Sequence, residues 1–359
     1  MREAWRYYSG RLTVTTDETQ RMKILVIKRD KIGDLLLTTP MLAHLKASRP
    51  DAQVHLLANN YNSWVVEGNR NVDRLWFYRR ARQGSRLSLA AAWHQVVQSA
   101  ALRRERFDVA IVANGDESPR AISRGLAAGA ARVIACCDDA RRYPKLTDPL
   151  PVLRGTHECE RLLALLAPLG IAAPAAPPLP EYRFPPEQTA FARAWLAERS
   201  LAPGGYIVLG LGARRAKKQP TTSQVLRWSQ RLHAERGLAT VFTWTPGKSN
   251  DPLYPGDDIV AQPVLDARKP WIHPFRGPIL PALGLIFCAR TSIFPDSGLM
   301  HFAAASPGGV LGLFAETDVS PHPSQWGPRG RRADYLEAGK SVAELADDIV
   351  FARLTRLLA

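Results

Sequence analysis

Cysteine is scarce in this chain: the 359 residues hold four, Cys136, Cys137, Cys159 and Cys288, with no C-x-x-C spacing. A disulfide scaffold or a zinc site is therefore not expected, and reduced thiols in a cytoplasm fit best. Long apolar runs are also missing. No stretch reaches about 18 uncharged apolar residues, so no transmembrane helix is expected. The first twenty residues, MREAWRYYSGRLTVTTDETQ, lack the apolar segment of a secretory leader. There is no P-loop, G-x-S-x-G, H-E-x-x-H or RNP aromatic motif, and no D-x-D pair of the kind that holds a divalent metal beside a nucleotide sugar. Acidic residues are in short supply: 33 Asp+Glu face 48 Lys+Arg, a net charge of +15. That excess points to an anionic partner without choosing among nucleic acid, membrane surface and phosphorylated substrate.

What is present is an alternation of apolar strands with helical stretches over a length that suits two domains. Met22–Lys28 (MKILVIK) reads as a buried parallel strand, broken at Arg29–Gly33 and followed by a helix over Asp34–Leu45. Strands are expected at Val54–Ala58, Val109–Ala113 and Val133–Cys136, with a helix carrying Leu89, Trp93, Val96 and Val97 between them. Ile171–Glu187 holds six prolines and reads as a semi-rigid linker. Beyond it the alternation restarts, with strands at Tyr206–Gly210, Ala239–Thr243, Ser292–Phe294 and Val310–Phe314. Helices are expected at Ser223–Arg236, Ile279–Cys288 and Gly298–Ala305, and a last amphipathic helix runs from about Val342 to Leu358. This predicts an α/β chain with a 1–21 extension, domains at 22–172 and 188–340, a linker at 173–187 and a C-terminal helix at 341–359. Two such halves leave a cleft, and ligands of open α/β sheets sit at strand carboxyl ends.

Residues 1–186 hold 28 Lys+Arg and 18 Asp+Glu, a net of +10, and the remainder nets +5. The basic clusters are Arg79, Arg80, Arg82 and Arg86; Arg103, Arg104 and Arg106; and Arg141, Arg142 and Lys145. Each reads either as a solvated surface or as a contact for an anionic partner.

Three segments could carry chemistry. In Lys28-Arg29-Asp30-Lys31-Ile32-Gly33-Asp34, between a strand and a helix N-terminus, Asp34 is open to two readings: a helix cap or a general base. Gly210-Leu211-Gly212-Ala213-Arg214-Arg215-Ala216-Lys217-Lys218-Gln219-Pro220 is a cationic, glycine-containing loop, suited to a diphosphate or simply solvated. In Phe294-Pro295-Asp296-Ser297-Gly298-Leu299-Met300-His301, an Asp-Ser-Gly turn opens a helix with His301 one turn in. Asp138-Asp139 and Asp257-Asp258 read as loop acids.

Together these segments resemble glycosyltransferase family nine, the lipopolysaccharide heptosyltransferases. MKILVIKRDKIGDLLLTTPML, HECERLLALLAPLG at 157–170, GLGARRAKKQP, FPDSGLMHFAAA and LFAETD with a nearby QWGP appear in that family's order across roughly 22–330. The resemblance implies a GT-B fold, two Rossmann-like domains with parallel sheets facing across a cleft, with the C-terminal helix packing back on the first domain. It implies an inverting, metal-independent transfer of heptose from ADP-heptose to the inner core of lipopolysaccharide, with no cofactor and no nucleic acid involved. Asp34 falls on the general base and Lys217 on the diphosphate lysine. Gly212, Asp296, Ser297, Gly298 and His301 fall on donor-binding elements, and Arg120 is a candidate acceptor contact. An anionic glycolipid acceptor and peripheral contact with the inner face of the inner membrane follow, and Trp5, Tyr7 and Tyr8 among Arg2, Arg6 and Arg11 are open to a membrane contact or a frayed tail. The chain departs from the family pattern at Gln219, where Trp often stands, and at Ala315-Glu316-Thr317-Asp318, against Gly-Pro-Thr-Asp. Pro321–Ser324 separates that segment from Gln325-Trp326-Gly327-Pro328. Two other readings stand beside it: another nucleotide-diphospho-sugar used for a different surface polysaccharide, or a non-catalytic basic binding protein on the same scaffold.

Overall fold

The computed structural model describes residues 21–78, 82–83, 86–87, 89–213, 215–250, 256–316, 318 and 322–359. The N-terminal extension with Trp5, Tyr7 and Tyr8, the basic residues Arg79, Arg80 and Arg214, and Thr317 and Pro321 lie outside them. The chain divides into two units, Met1–Glu181 and Tyr182–Ala359.

The first unit runs β1 (Lys23–Ile27), α1 (Ile32–Leu36), α2 (Thr39–Ser48), β2 (Gln53–Asn59), β3 (Arg74–Tyr78), a short hairpin β4–β5 (Arg82–Gln83 and Arg86–Leu87) and α3 (Leu89–Arg104). It continues with β6 (Val109–Val112), α4 (Pro119–Ala127), β7 (Arg132–Cys136), β8 (Asp148–Leu150) and α5 (Glu158–Ala164). Six strands form one parallel sheet in the order β3-β2-β1-β6-β7-β8.

The second unit repeats the plan. It comprises α6 (Pro186–Ala197), β9 (Tyr206–Gly210), α7 (Thr222–Arg236), β10 (Ala239–Thr243), α8 (Asp258–Asp266), β11 (Ile272–Phe275) and α9 (Ile279–Cys288). Then come β12 (Thr291–Pro295), α10 (Gly298–Ala304), β13 (Val310–Phe314), α11 (Pro323–Trp326), β14 (Ala333–Glu337) and α12 (Asp347–Leu358). Its sheet is also parallel, in the order β11-β10-β9-β12-β13-β14.

The central strands are covered on both faces, which is why their sequences are continuous apolar runs rather than alternating ones. Ile24–Ile27 and all of β9 and β13 are buried. α6 and α9 pack so closely that a Cβ at Gly284 would collide with the Gln188 carbonyl. α7 opens on a capping box, Thr221 with Gln224, and closes on Gly237 at φ 64°.

In each sheet the first strand in sequence is flanked by strands reached in opposite directions: β1 by β2 and β6, β9 by β10 and β12. Loops leaving that pair diverge to the two faces and open a crevice at the strand carboxyl ends. The segments Lys28–Asp34, Ala113–Glu117, Leu211–Lys218 and Asp296–Gly298 all occupy such positions.

One expectation changes. The last helix begins at Asp347, not near Val342: Ser341 caps a short turn over Val342–Glu344, and the chain is extended at Leu345 and Ala346 before restarting. Within the second unit, α12 places Val350, Phe351 and Leu354 in the core under β13, and Asp347 is bound by Arg227 and by the Trp228 indole at 2.7 Å. The expected helix carrying Leu89, Trp93, Val96 and Val97 is α3, in which Trp93, Val96 and Val97 face outward while Gln98 and Leu102 turn inward.

Candidate functional site

β1 ends at Ile27, so Lys28 leaves the sheet at its carboxyl edge. Its side chain is fully buried, with Nζ 3.2 Å from Asp30 and 3.7 Å from Glu158. Burial opposes the ammonium charge, but Asp30, Glu158 and Asp34 outweigh it and hold the pKa above the ordinary lysine value. Glu158, the first residue of α5, is buried beside Arg161 one turn on, at 3.2 Å. It also accepts the Gly115 N–H at 3.2 Å, and Arg161 spans to the Gly115 carbonyl at 2.6 Å and to Asp116. A Cβ at Gly115 would lie 2.6 Å from the Glu158 carboxylate, so any side chain there would have to displace the pair. Asn114 completes the ring by donating to Asp30 at 2.6 Å.

Asp34 is half-buried in the first turn of α1, and its Oδ2 accepts the Lys31 N–H at 3.2 Å. The contact is a helix-start interaction, so the capping role is present. It does not exhaust the carboxylate, whose pKa is raised above the ordinary value. Burial is the main cause, Asp30 and Glu158 push the same way, and Lys28 and Lys31 oppose. A carboxylate kept ionisable but made more basic is what proton abstraction requires. Arg120, at the start of α4, is exposed, and its carbonyl accepts from Arg29 at 3.2 Å.

The second unit builds a different site at the equivalent place. The loop after β9 carries Gly212, and a Cβ there would rest 3.5 Å from Ser297 Oγ, so the loops after β9 and β12 face each other across the width of one methyl group. Ser297 is the N-cap of α10, yet its Oγ makes no cap bond and is buried without a partner. Gly298 is the first helical residue. His301, one turn in, is buried, and Nδ1 has no partner. Burial pushes its pKa down to about 4 against the attraction of Asp296, so the imidazole is neutral near neutral pH.

The two adjacent lysines part company. Lys218 turns inward, almost fully buried, and pairs with Asp296 at 2.8 Å. Lys217 is 63% exposed and pairs with Glu316 at 3.0 Å, which Arg215 also approaches at 3.6 Å. Glu316 adopts φ 55°, in the left-handed region, and its carboxyl is held below the usual range chiefly by Lys217. Gln219 is buried and ties the loop down through the Ala213 carbonyl at 2.7 Å and Asp257 at 2.8 Å.

The structure thus brings Gly212, Asp296, Ser297, Gly298 and His301 together, with Lys217 at their rim, and sets Asp34 in the first unit's buried charge network. Sequence reasoning gave no role to Lys28, Glu158, Arg161 or Lys218. Glu158 and Arg161 lie in the segment HECER, where a charged pair three residues apart beside an apolar helix was the available signal. Asp138 and Asp139 are loop acids bound to Arg154 and Arg141, whereas Asp257 is the N-cap residue of α8 and Asp258 its first residue, bound to Arg276. Arg142 pairs with Glu117 at 2.6 Å. Among the described residues no group of three His, Cys, Asp or Glu side chains could hold a metal ion.

The family model for glycosyltransferase family 9 (heptosyltransferase) matches residues 97–341. Lipopolysaccharide heptosyltransferase 3 of Escherichia coli is 26% identical over 294 residues, 80% of this chain and 81% of that protein. Among solved structures, a family 9 glycosyltransferase from Veillonella parvula is similar with a TM-score of 0.77, at 17% identity, over 95% of this chain and 98% of that one. E. coli heptosyltransferase WaaC, solved with ADP, gives a TM-score of 0.72 at 17% identity, over 94% and 100%. WaaC has also been solved with ADP-2-deoxy-2-fluoro heptose. The two parallel six-stranded units are those of the GT-B fold, and this chain belongs to glycosyltransferase family 9, the heptosyltransferases, and is a glycosyltransferase.

Proposed function

We propose that this enzyme transfers heptose from ADP-heptose to a hydroxyl of the lipopolysaccharide inner core, with inversion and without a metal ion. The observation that carries the reading is the pair of unpartnered buried polar atoms, Ser297 Oγ and His301 Nδ1, beside Gly212 and the cationic loop. Buried polar atoms are ordinarily satisfied, and orphaned ones at a sheet's switch point mark a place kept for a ligand. ADP bound in WaaC supports a diphosphonucleotide there.

In this reading Asp34 takes the proton from the acceptor hydroxyl as its oxygen attacks the anomeric carbon from the face opposite the diphosphate. The bond to the departing ADP breaks, and its growing charge falls to Lys217 and the Gly298 N–H. Neutral His301 and Ser297 supply hydrogen bonds to the donor, and Lys218 fixes Asp296 among them. The excess positive charge of residues 1–186 suits an acceptor bearing acidic sugars.

A thermal-shift panel of nucleotides and nucleotide sugars tests the donor, because a ligand specific to the folded state raises the midpoint according to its affinity. ADP-heptose should shift it most. A larger shift by a different nucleotide-diphospho-sugar would replace the donor. Product of retained anomeric configuration, or turnover abolished by EDTA, would remove inversion or metal independence. If no nucleotide binds, the non-catalytic alternative takes its place.

A further inference from the structure

Helix α3 is built inside out. Its inward side places Gln98 and Leu102 against the unit, with Gln98 Nε2 donating to the Phe77 carbonyl at 2.6 Å. Its outward side carries Trp93, 70% exposed, with Val96 at 60% and Val97 at 50%. Ala100, Arg103 and Arg104 are exposed as well. Positions 93, 96, 97, 100, 103 and 104 follow the three- and four-residue steps of one helix face, so all six form a single strip. The strip is apolar for its first four residues and cationic for its last two. Arg103 donates to the Ala127 carbonyl at 2.9 Å, and among the described residues neither arginine pairs with a carboxylate.

Single exposed apolar side chains need no explanation. A contiguous stripe led by an exposed tryptophan and ending in unpaired arginines does. We propose that this face of α3 docks the first unit, reversibly, on an anionic lipid surface. Tryptophan is favoured at the headgroup boundary, and valines beside it enter the acyl edge. Arginine stems run along apolar surface while their heads reach lipid phosphates. Charge complementarity chooses this partner: residues 1–186 carry a net +10, and each basic residue near an anionic leaflet adds to the attraction. No helix of the described residues is long and apolar enough to cross a membrane, so the contact is peripheral. A second copy of the chain fits less well. Four apolar side chains fall far short of the 20–30 residues per side of a stable interface, and pairing two copies would juxtapose their arginines. The docking goes beyond the catalytic assignment and does not depend on the role of Asp34 or the donor residues.

The test is co-sedimentation with vesicles of phosphatidylethanolamine and phosphatidylglycerol, compared with pure phosphatidylcholine, at two salt concentrations. Wild type should partition onto the anionic vesicles and be released by salt. Trp93→Glu with Val97→Glu should lower that partitioning by about tenfold or more, and Arg103→Glu with Arg104→Glu should remove the preference for the anionic lipid. ADP affinity, measured in parallel by calorimetry, should be unchanged in both variants, which separates docking from the donor site. Equal binding to both vesicle types, no binding by wild type, or wild-type partitioning by the Trp93/Val97 variant would overturn the proposal. So would a wild type that elutes as a dimer, becomes monomeric in that variant and ignores vesicles.

Discussion

The two units share a strand order and a switch point, yet they fill that point with opposite chemistry. At the ends of β1 and β6 the first unit gathers Lys28, Asp30, Asp34, Asp116, Glu158 and Arg161, and nearly every charge there has a partner inside the chain. At the ends of β9 and β12 the second unit presents a cationic rim and leaves Ser297 Oγ and His301 Nδ1 unsatisfied. In the first unit, ion pairs set the basicity of one carboxylate, with Arg161 Nε and Asn114 Oδ1 the atoms left over; under the proposed function, the second unit's open atoms take the donor. One fold supports both because the strands fix where the loops emerge and the loop residues fix what is done there.

The largest break in that comparison should come from Asp34→Ala. If the first unit supplies only the proton step, turnover should fall by about 10³-fold, with ADP affinity unchanged by calorimetry. Unaltered turnover would return Asp34 to its capping contact with Lys31. Next is Lys28→Met, which strips the buried cation from Asp30 and Glu158. Breaking a buried ion pair typically costs about 3–5 kcal/mol, read as a lower midpoint in denaturant. The pH profile carries a second signal. The base works when Asp34 is deprotonated, so kcat/KM should rise with pH through its pKa, already above the ordinary aspartate value. Lys28 opposes that elevation, so its removal should move the acidic limb to higher pH. A limb that stays in place would reduce Lys28 to a structural pair.

How much of this was legible follows from where each residue sits in the sheets. β1, β2, β6, β7, β9, β10, β12 and β13 lie inside the sheets and read directly as apolar runs. Within the two six-stranded sheets the strands that went unread, β3, β8, β11 and β14, are the four edges; the two-residue strands β4 and β5 are too short to show a pattern. Edge strands face solvent, so Arg74, Asp148, His273 and Asp334 interrupt their apolar residues and erase the signal. The site segments were visible because glycine, aspartate and serine cluster where a strand gives way to a helix. Their internal wiring was not. The Lys28–Glu158 pair joins positions 130 residues apart, and nothing in either neighbourhood announces the other. Lys217 and Lys218 are chemically alike in sequence, and only the turn over Ala216–Lys218 sends one outward and the other to Asp296. Trp93, Val96 and Val97 have helical spacing that suits a core stripe equally well, and spacing alone does not say which side of a helix faces in.

The second unit's half of the comparison turns on those two lysines. Lys217→Ala should weaken ADP binding by roughly tenfold, the loss of one charge-assisted contact, while leaving the fold intact because the side chain is exposed. Lys218→Ala should weaken ADP as well, but through Asp296, and with a lower thermal midpoint because it leaves a largely buried carboxylate unpaired. Equal midpoints for the two variants would mean that burial does not distinguish them.

The smallest effect is expected at Glu316. Its carboxylate occupies Lys217 and approaches Arg215, so a diphosphate arriving at Lys217 must compete with an anion already there. Glu316→Gln removes the competitor and keeps the side chain's size, and it should tighten ADP binding a few-fold at low salt. The gain should shrink as salt rises, since exposed charges are screened beyond about 10 Å at 0.1 M. Lys217→Ala combined with Glu316→Gln should show no such gain, because the competition acts through that lysine. If Glu316→Gln weakens ADP instead, the carboxylate contacts the donor, and the pairing with Lys217 is a resting arrangement that the nucleotide rearranges rather than a competition that it wins.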